Sequence, residues 1–228
     1  MDHPLTIHQN QCRIYTSGSP KYLLIQPVDE HDLEVLDNEV AEIERRTTEP
    51  FILAAFRIHD WNRELSPWEE PPVFGKQSFG SGAADTLGFI ETKLIPEIIS
   101  RFAIPENIPI VIGGYSLAGL FALWSVYNSE RFSAAAAASP SVWFPKWDNF
   151  MRTHMPKADC VYLSLGNKEE KTKNKVMAAV GERIREQYEL LKDRACTLEL
   201  NVGNHFKEPD IRTAKAFAWC MDQLEKTK

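Results

Sequence analysis

The sequence predicts an α/β sandwich of three layers, in which helices cover both faces of a mostly parallel β-sheet. Short apolar runs of strand length alternate with amphipathic helical patterns from Tyr22 to the end of the 228-residue chain. Some of these runs are apolar throughout, as is typical of strands covered on both faces. No repeat, linker or low-complexity segment interrupts the alternation. We therefore expect a single compact domain over residues 1–228, without a separate cap domain.

The predicted strands are short runs rich in β-branched and aromatic residues, and turn signals bound them. A first run around Cys12–Tyr15 ends at a Thr-Ser-Gly-Ser-Pro turn. The later runs cover residues 22–26, 51–56, 110–113, 132–138, 160–166 and 197–202. Five alanines in the run 132–138 favour a helix, but its shortness and the Ser-Pro after it indicate a strand. The run 197–202 alternates apolar and polar residues, which predicts a position near a sheet edge.

The predicted helices carry an apolar residue every three or four positions. They cover roughly residues 30–45, 86–102, 117–127, 176–191 and 211–224, and a shorter helix follows the loop 142–147. Residues 57–82 show no periodicity and are rich in Pro, Gly, Trp and charged residues. A loop of this length inside a compact domain is usually functional or disordered, and its aromatic residues argue against disorder.

The composition argues against several classes of partner. A net charge of −6 and the lack of a basic run argue against nucleic acid and anionic membrane surfaces. No apolar run approaches the length of a membrane span, and the first residues lack a signal-peptide pattern, so we expect a cytoplasmic protein. Cys12, Cys160, Cys196 and Cys220 are scattered without CxxC spacing, which argues against disulfides and a zinc site. The last three sit inside apolar patterns, which predicts small buried residues in a reducing compartment.

Ser116 lies in the stretch Gly-Tyr-Ser-Leu-Ala-Gly at residues 114–119, between a predicted strand and a predicted helix. This context is typical of a nucleophile elbow, a strained turn that projects a serine hydroxyl from the carboxyl edge of a sheet. The G-x-S-x-G pattern is matched except at its fifth position, which is Ala118. We expect this methyl group to be tolerated if the helix packs slightly less closely on the strand.

A serine nucleophile needs a base within hydrogen-bond reach, and the base needs an acid that orients it. Such groups collect at the carboxyl ends of parallel strands. His205 follows the last predicted strand, and Glu169 and Glu170 follow the strand that ends at Gly166. The chain order of serine, acid and histidine is that of the α/β-hydrolase fold. We therefore predict a triad of Ser116, His205 and Glu169, with Glu170 as the alternative acid.

The negative oxygen that forms during acyl transfer needs preorganised hydrogen-bond donors. One donor is expected to be the backbone N–H of Leu117, the residue after the nucleophile. We expect the second donor in the loop after the strand that ends at Gln26. This position indicates the backbone N–H of Val28 or, alternatively, of Asp29.

Four stretches of the chain resemble the putative-esterase family of α/β-hydrolases, which includes esterase D, the ferric enterobactin esterases and the mycolyltransferases. They are Gly-Tyr-Ser-Leu-Ala-Gly at 114–119, Arg-Glu-Leu-Ser-Pro at 63–67, Ala-Ser-Pro-Ser-Val-Trp at 138–143 and Gly-Asn-His-Phe at 203–206. The resemblance implies a serine hydrolase that works through an acyl-enzyme. Ser116 matches the family nucleophile, His205 the base and Glu169 the acid. In the siderophore-esterase branch, Arg63 corresponds to an arginine near the mouth of the active site.

Four tryptophans fall in two loops at the predicted active edge. They are Trp61, Trp68, Trp143 and Trp147. They predict either core packing beneath long loops or an aromatic-walled pocket for an apolar or ring-bearing acyl group, to which we assign Trp61 and Trp143. Arg57 and Arg63 are candidates for binding a carboxylate or phenolate, with solvated surface positions as the alternative.

Together these observations predict a carboxylic-ester hydrolase that acts on a small-molecule ester, as a monomer or homodimer, without a metal or organic cofactor. Acyl transfer or thioester cleavage by the same triad is an alternative, because the first half-reaction is the same. A non-catalytic binding protein of the same fold is less favoured, since both the nucleophile and the base are present.

Overall fold

The computed structural model describes residues 2–227, which form a sheet of eight strands with helices on both faces. The strands β1 to β8 are Asp2–Ile7, Asn10–Thr16, Tyr22–Val28, Phe51–Arg57, Ile110–Tyr115, Ala134–Ala138, Cys160–Gly166 and Ala195–Asn201. Their order in the sheet is β1-β2-β4-β3-β5-β6-β7-β8. The pairs β1–β2 and β2–β4 are antiparallel and the other five are parallel, which confirms the predicted mostly parallel sheet.

The helices α1 to α9 are Glu30–Arg46, Trp61–Glu64, Ala83–Phe89, Ile95–Phe102, Leu117–Asn128, Trp147–Thr153, Lys175–Ala178, Val180–Leu191 and Pro209–Lys226. A π turn, Ile90–Leu94, joins α3 to α4, and a 3₁₀ turn, Glu169–Lys171, follows β7. Helices α1 and α9 pack on one face of the sheet, and α3, α4, α5 and α8 pack on the other. This arrangement confirms the predicted three-layer sandwich.

The sheet is buried on both faces because successive side chains of a strand point to opposite sides. In β3, Leu23 and Ile25 belong to the core beneath α5, whereas Tyr22 and Leu24 belong to the core beneath α1 and α9. The alanine run of β6 is a strand, as expected, and is fully buried between β5 and β7. Its small side chains suit a strand with helices on both faces.

Several elements differ from the sequence prediction. Helix α2 lies within the expected loop 57–82, and a π turn divides the helix expected over residues 86–102. Strand β1 was not expected, since its residues show no clear alternation, and it exists through its pairing with β2. The helix expected over residues 176–191 is divided at Ala179 into α7 and α8. Strand β8 lies at a sheet edge, as its polar alternation predicts. Among residues 2–227, no helix is long and apolar enough to cross a membrane.

Helix α1 buries an acidic side chain against the sheet. Glu39 is 3% exposed, and its hydrogen-bond donor is Gln26 Nε2 at 3.4 Å. Burial, and then the nearby charge of Asp32, raise the pKa of Glu39 well above its usual value. The folded protein therefore favours the neutral form of this carboxyl group.

We expect the substitution Glu39→Gln to stabilise the protein more at about pH 8 than at about pH 4. Because folding raises the pKa of Glu39, the wild type loses stability as the pH rises above the unfolded-state value near 4.5. As the pH rises, the carboxyl group of Glu39 loses its proton in the unfolded chain before it does so in the folded protein, which favours unfolding. Glutamine does not titrate, so the variant lacks this effect. Urea unfolding at both pH values measures the difference, and an equal gain at both would contradict the assignment.

Candidate active site

Ser116 occupies the turn between β5 and α5, with φ 58° and ψ −119°. A positive φ is strained for a residue with a side chain, as expected for a nucleophile elbow. The N–H of Ser116 donates to the carbonyl of Ala138 at 3.2 Å, which attaches the turn to the end of β6. A Cβ at Gly114 would lie 2.6 Å from Cβ of Ala118. The methyl group of Ala118 therefore fits because Gly114 has no side chain.

Three side chains at the ends of three parallel strands form a continuous chain of hydrogen bonds. Ser116 follows β5, Glu169 follows β7 and His205 follows β8. His205 Nε2 lies 2.9 Å from Ser116 Oγ, and His205 Nδ1 lies 2.7 Å from Glu169 Oε2. This is the geometry of a nucleophile, a base and an acid that orients the base. The structure thus brings together the three residues named from the sequence.

The carboxylate of Glu169 is almost completely enclosed, with its side chain 4% exposed. Its Oε1 accepts hydrogen bonds from Gly166 N at 2.6 Å, Ser139 Oγ at 2.9 Å and Arg212 Nη1 at 3.0 Å. Burial acts to raise the pKa of Glu169. The hydrogen bond and charge of His205, with the donors of Gly166 and Ser139, outweigh burial and leave that pKa below its usual value. The acid is therefore held as a carboxylate.

Glu170, the alternative acid, faces away from the histidine. Its Oε2 accepts from Arg185 Nη1 at 2.9 Å in a partly exposed ion pair. Glu169 and Glu170 are consecutive residues of one 3₁₀ turn, so their side chains leave the backbone in different directions. Of these two carboxylates, the one that contacts His205 is Glu169.

A buried arginine that the sequence did not single out connects the acid to the histidine loop. Arg212, in α9, is 1% exposed. Its Nη1 donates to Glu169 Oε1 and to Tyr115 Oη, both at 3.0 Å, and its Nη2 donates to the carbonyl of Asn204 at 3.1 Å. Tyr115 Oη in turn donates to the carbonyl of His205 at 2.7 Å. Burial raises the pKa of Tyr115 to about 12, so this hydroxyl stays protonated.

Of the two expected oxyanion donors, Leu117 borders the cavity of Ser116 and Val28 does not. Leu117 is the first residue of α5, so its N–H has no acceptor within the helix, and it lines the same cavity as Ser116. Val28 is fully buried at the end of β3, and its carbonyl accepts from Ile58 N at 2.9 Å, on the side of β4. In an extended strand the N–H and carbonyl of one residue point the same way. The N–H of Val28 therefore points away from β5 and Ser116.

Asp29, the alternative to Val28, is also unsuitable as a donor. It is the N-cap of α1, and its N–H donates to Asp32 Oδ2 at 3.2 Å in a capping box. The loop after β3 therefore presents neither of the two expected N–H groups to the nucleophile. The sequence predicts that this strand ends at Gln26 and that residues 27–29 form a loop. In the structure β3 continues to Val28, so only Asp29 separates it from α1.

Ser116 opens into a cavity of about 590 Å³ with a mostly apolar lining. Its aromatic and aliphatic walls include Trp61, Phe74, Phe79, Trp143, Met177 and Phe206. Trp61 and Trp143 are thus placed as expected. Trp68 and Trp147 instead belong to the core packing: the indole N–H of Trp68 donates to Pro145 O, and that of Trp147 donates to Gln187 Oε1.

Arg63 does not line this cavity, contrary to the expectation from its motif. It lies beside a separate, more polar cavity, together with Arg57 and Asp60. Trp61, Asn62 and Arg63 are consecutive residues of the one-turn helix α2. Consecutive helical side chains point about 100° apart, so the turn that directs Trp61 and Asn62 toward Ser116 directs Arg63 elsewhere.

Within the described residues, no group of three His, Cys, Asp or Glu side chains is arranged to hold a metal ion. All four cysteines have free thiols. Cys160 and Cys220 are buried as expected, and Cys12 is buried as well. Cys196 is partly exposed, contrary to expectation, because β8 is an edge strand.

Comparisons with known proteins identify a family and related folds. A family model described as "Putative esterase" matches residues 40–206. An IroE-like serine hydrolase from Shewanella oneidensis has a TM-score of 0.77 at 15% identity, over 96% of this chain and 79% of its own. The siderophore hydrolase EstA from Aspergillus nidulans has a TM-score of 0.72 at 17% identity, over 100% of this chain and 95% of its own. An enterochelin esterase from Shigella flexneri has a TM-score of 0.72 at 14% identity, over 100% of this chain and 59% of its own. No curated protein sequence matches significantly.

We expect Arg212→Met to lower the free energy of unfolding by about 3–5 kcal/mol, the usual cost of removing one partner of a buried ion pair. The double variant Arg212→Met/Glu169→Gln should recover part of this loss, because it no longer buries an uncompensated carboxylate. Urea unfolding at neutral pH measures both variants. A double variant no more stable than Arg212→Met would show that Arg212 does not compensate the charge of Glu169.

Proposed function

This chain belongs to the putative-esterase family of carboxylic-ester hydrolases, and we propose that it cleaves small-molecule esters through an acyl-enzyme on Ser116. The observation that carries the proposal is the hydrogen-bonded series Ser116 Oγ, His205 and Glu169 at the mouth of an apolar cavity. A serine hydroxyl paired with an imidazole, and an imidazole paired with a buried carboxylate, are what nucleophilic acyl transfer requires.

In the proposed reaction, Ser116 Oγ attacks the ester carbonyl while His205 Nε2 takes its proton. Glu169 accepts the Nδ1–H hydrogen bond and stabilises the imidazolium that forms. The N–H of Leu117 donates to the carbonyl oxygen as it becomes negative. The intermediate collapses to the acyl-enzyme, and the departing alcohol takes the proton from His205. Water then repeats the sequence, releasing the carboxylic acid and restoring Ser116.

The cavity supports an acyl group larger than acetyl. A volume of about 590 Å³ lies within the usual range for small-molecule sites, and the mostly apolar lining includes Trp61, Phe74, Phe79, Trp143 and Phe206. Trp143 is 6% exposed and Phe79 is 3% exposed, so both are held by packing around them. We therefore propose apolar or ring-bearing acyl groups as substrates. The free thiols are consistent with a reducing compartment, and we include a cytoplasmic location in the proposal.

We expect Ser116→Ala to lower the hydrolysis of p-nitrophenyl butyrate by at least about a thousandfold, because the nucleophile is lost. A fluorophosphonate probe should label the wild type and leave Ser116→Ala unlabelled. Ser81→Ala, which removes an exposed hydroxyl on a loop, serves as the matched control and should keep full activity. Equal rates for wild type and Ser116→Ala would refute the proposal. A folded wild type that neither reacts with the probe nor cleaves esters would favour a binding protein.

Among p-nitrophenyl esters of increasing acyl length, we expect kcat/KM to rise by about fourfold per buried CH₂ until the cavity is filled. Trp143→Ala should reduce the preference for benzoyl over acetyl esters, since it removes an aromatic wall. Trp219→Ala, which removes a tryptophan from α9 on the opposite face of the sheet, is the control and should keep the preference. A preference unchanged in Trp143→Ala would exclude this wall from acyl binding.

A further inference from the structure

The oxyanion site described above has one backbone donor, Leu117, and lacks a partner for it in the loop after β3. Val28 directs its N–H toward β4, and the N–H of Asp29 is used by the α1 capping box. Serine hydrolases of this fold commonly place two donors on the negative oxygen. A second donor in this chain therefore has to come from another element that borders the cavity.

Asn62 in α2 has the properties of such a donor. It is 9% exposed and lines the cavity together with Ser116 and Leu117. Its side-chain amide forms no hydrogen bond with any residue that the structure describes. Its amide is not among the side-chain atoms that are both fully enclosed and unpaired, so it faces the open cavity. A group kept in this state beside a nucleophile is available to a bound molecule.

The backbone around Asn62 is fixed before any substrate arrives. The carbonyl of Asn62 accepts from Ser66 Oγ at 2.6 Å and from Gly80 N at 3.1 Å. Asp60 caps the same turn through Arg63 N. The backbone that carries this side chain is therefore preorganised, which limits the rearrangement needed as negative charge develops.

We propose that the side-chain amide of Asn62 is the second oxyanion donor, with Nδ2–H and the N–H of Leu117 donating together to the tetrahedral intermediate. No proton is transferred in this step: Asn62 stabilises the charge on the former carbonyl oxygen until that oxygen re-forms the double bond. The inference rests on the proposed function, since this oxyanion forms only when Ser116 attacks an acyl carbon.

The test is the steady-state hydrolysis of p-nitrophenyl butyrate by Asn62→Ala. Removing a single oxyanion donor costs about 10²–10³ in kcat. We expect a loss of that size with KM changed by less than about threefold, because the donor acts on the transition state and not on the bound ester. A group that only binds substrate would instead raise KM and leave kcat unchanged, which would overturn the proposal.

A boronic acid that forms a tetrahedral adduct with Ser116 provides a second readout. Its affinity should fall in Asn62→Ala by about the same factor as kcat, because the adduct places an oxygen in the same site. A merely structural role would not couple these two losses. Unchanged boronate affinity in a folded Asn62→Ala protein would contradict the assignment.

Two further variants keep the test decisive. Asn62→Asp retains the shape and replaces the donor by a carboxylate, so it should lose at least as much kcat as the alanine variant. If Asn62→Ala fails to fold, the kcat of Asn62→Asp replaces it in the test. Arg63→Ala changes the next residue of the same turn, outside the cavity, and should keep wild-type kcat.

If a folded Asn62 variant keeps kcat within about threefold while Ser116→Ala is inactive, the Asn62 inference fails and the proposed function stands. Activity retained by Ser116→Ala would remove the basis of both.

Discussion

The buried carboxylate of Glu169 is the constraint on which the arrangement of the site depends. A charge with 4% exposure is stable only if donors and an opposite charge surround it. Arg212 supplies that charge from the last helix, and the same guanidinium holds the loop of His205 through Asn204 and Tyr115. Charge compensation and positioning of the histidine are thus performed by one side chain.

The parallel sheet supplies the remaining geometry. Ser116, Ser139, Glu169 and His205 follow the successive strands β5, β6, β7 and β8 at one edge. Small residues let these strand ends approach one another: a Cβ on Gly166 would lie 2.6 Å from the carbonyl oxygen of Gly203. Ser116 and Ser139 both adopt a positive φ, so the backbone is strained at two of these strand ends.

Positions along the chain were predictable, and the directions of side chains and N–H groups were not. The alternation of strands and helices predicted the sandwich, and the residues after its strands included Ser116, Glu169 and His205. The predictions of Val28 as an oxyanion donor and of Arg63 as a substrate-binding residue were wrong. A strand register decides where the N–H of Val28 points, and a helical turn decides where the guanidinium of Arg63 points. No sequence pattern singled out Arg212, because it is one charged residue in a helix whose other buried positions are mostly apolar.

The sequence by itself determined the fold class, the strand–turn–helix at Ser116 and the strand ends that carry Ser116, Glu169 and His205, because strand and helix periodicity and turn composition are local properties of the chain. Only the tertiary structure decided that Glu169 and not Glu170 contacts His205, that Arg212 compensates the charge of Glu169, and that Asn62 lines the same cavity as Ser116. These relations join residues from distant parts of the chain. They depend on packing distances and orientations of about an ångström, which no local pattern encodes.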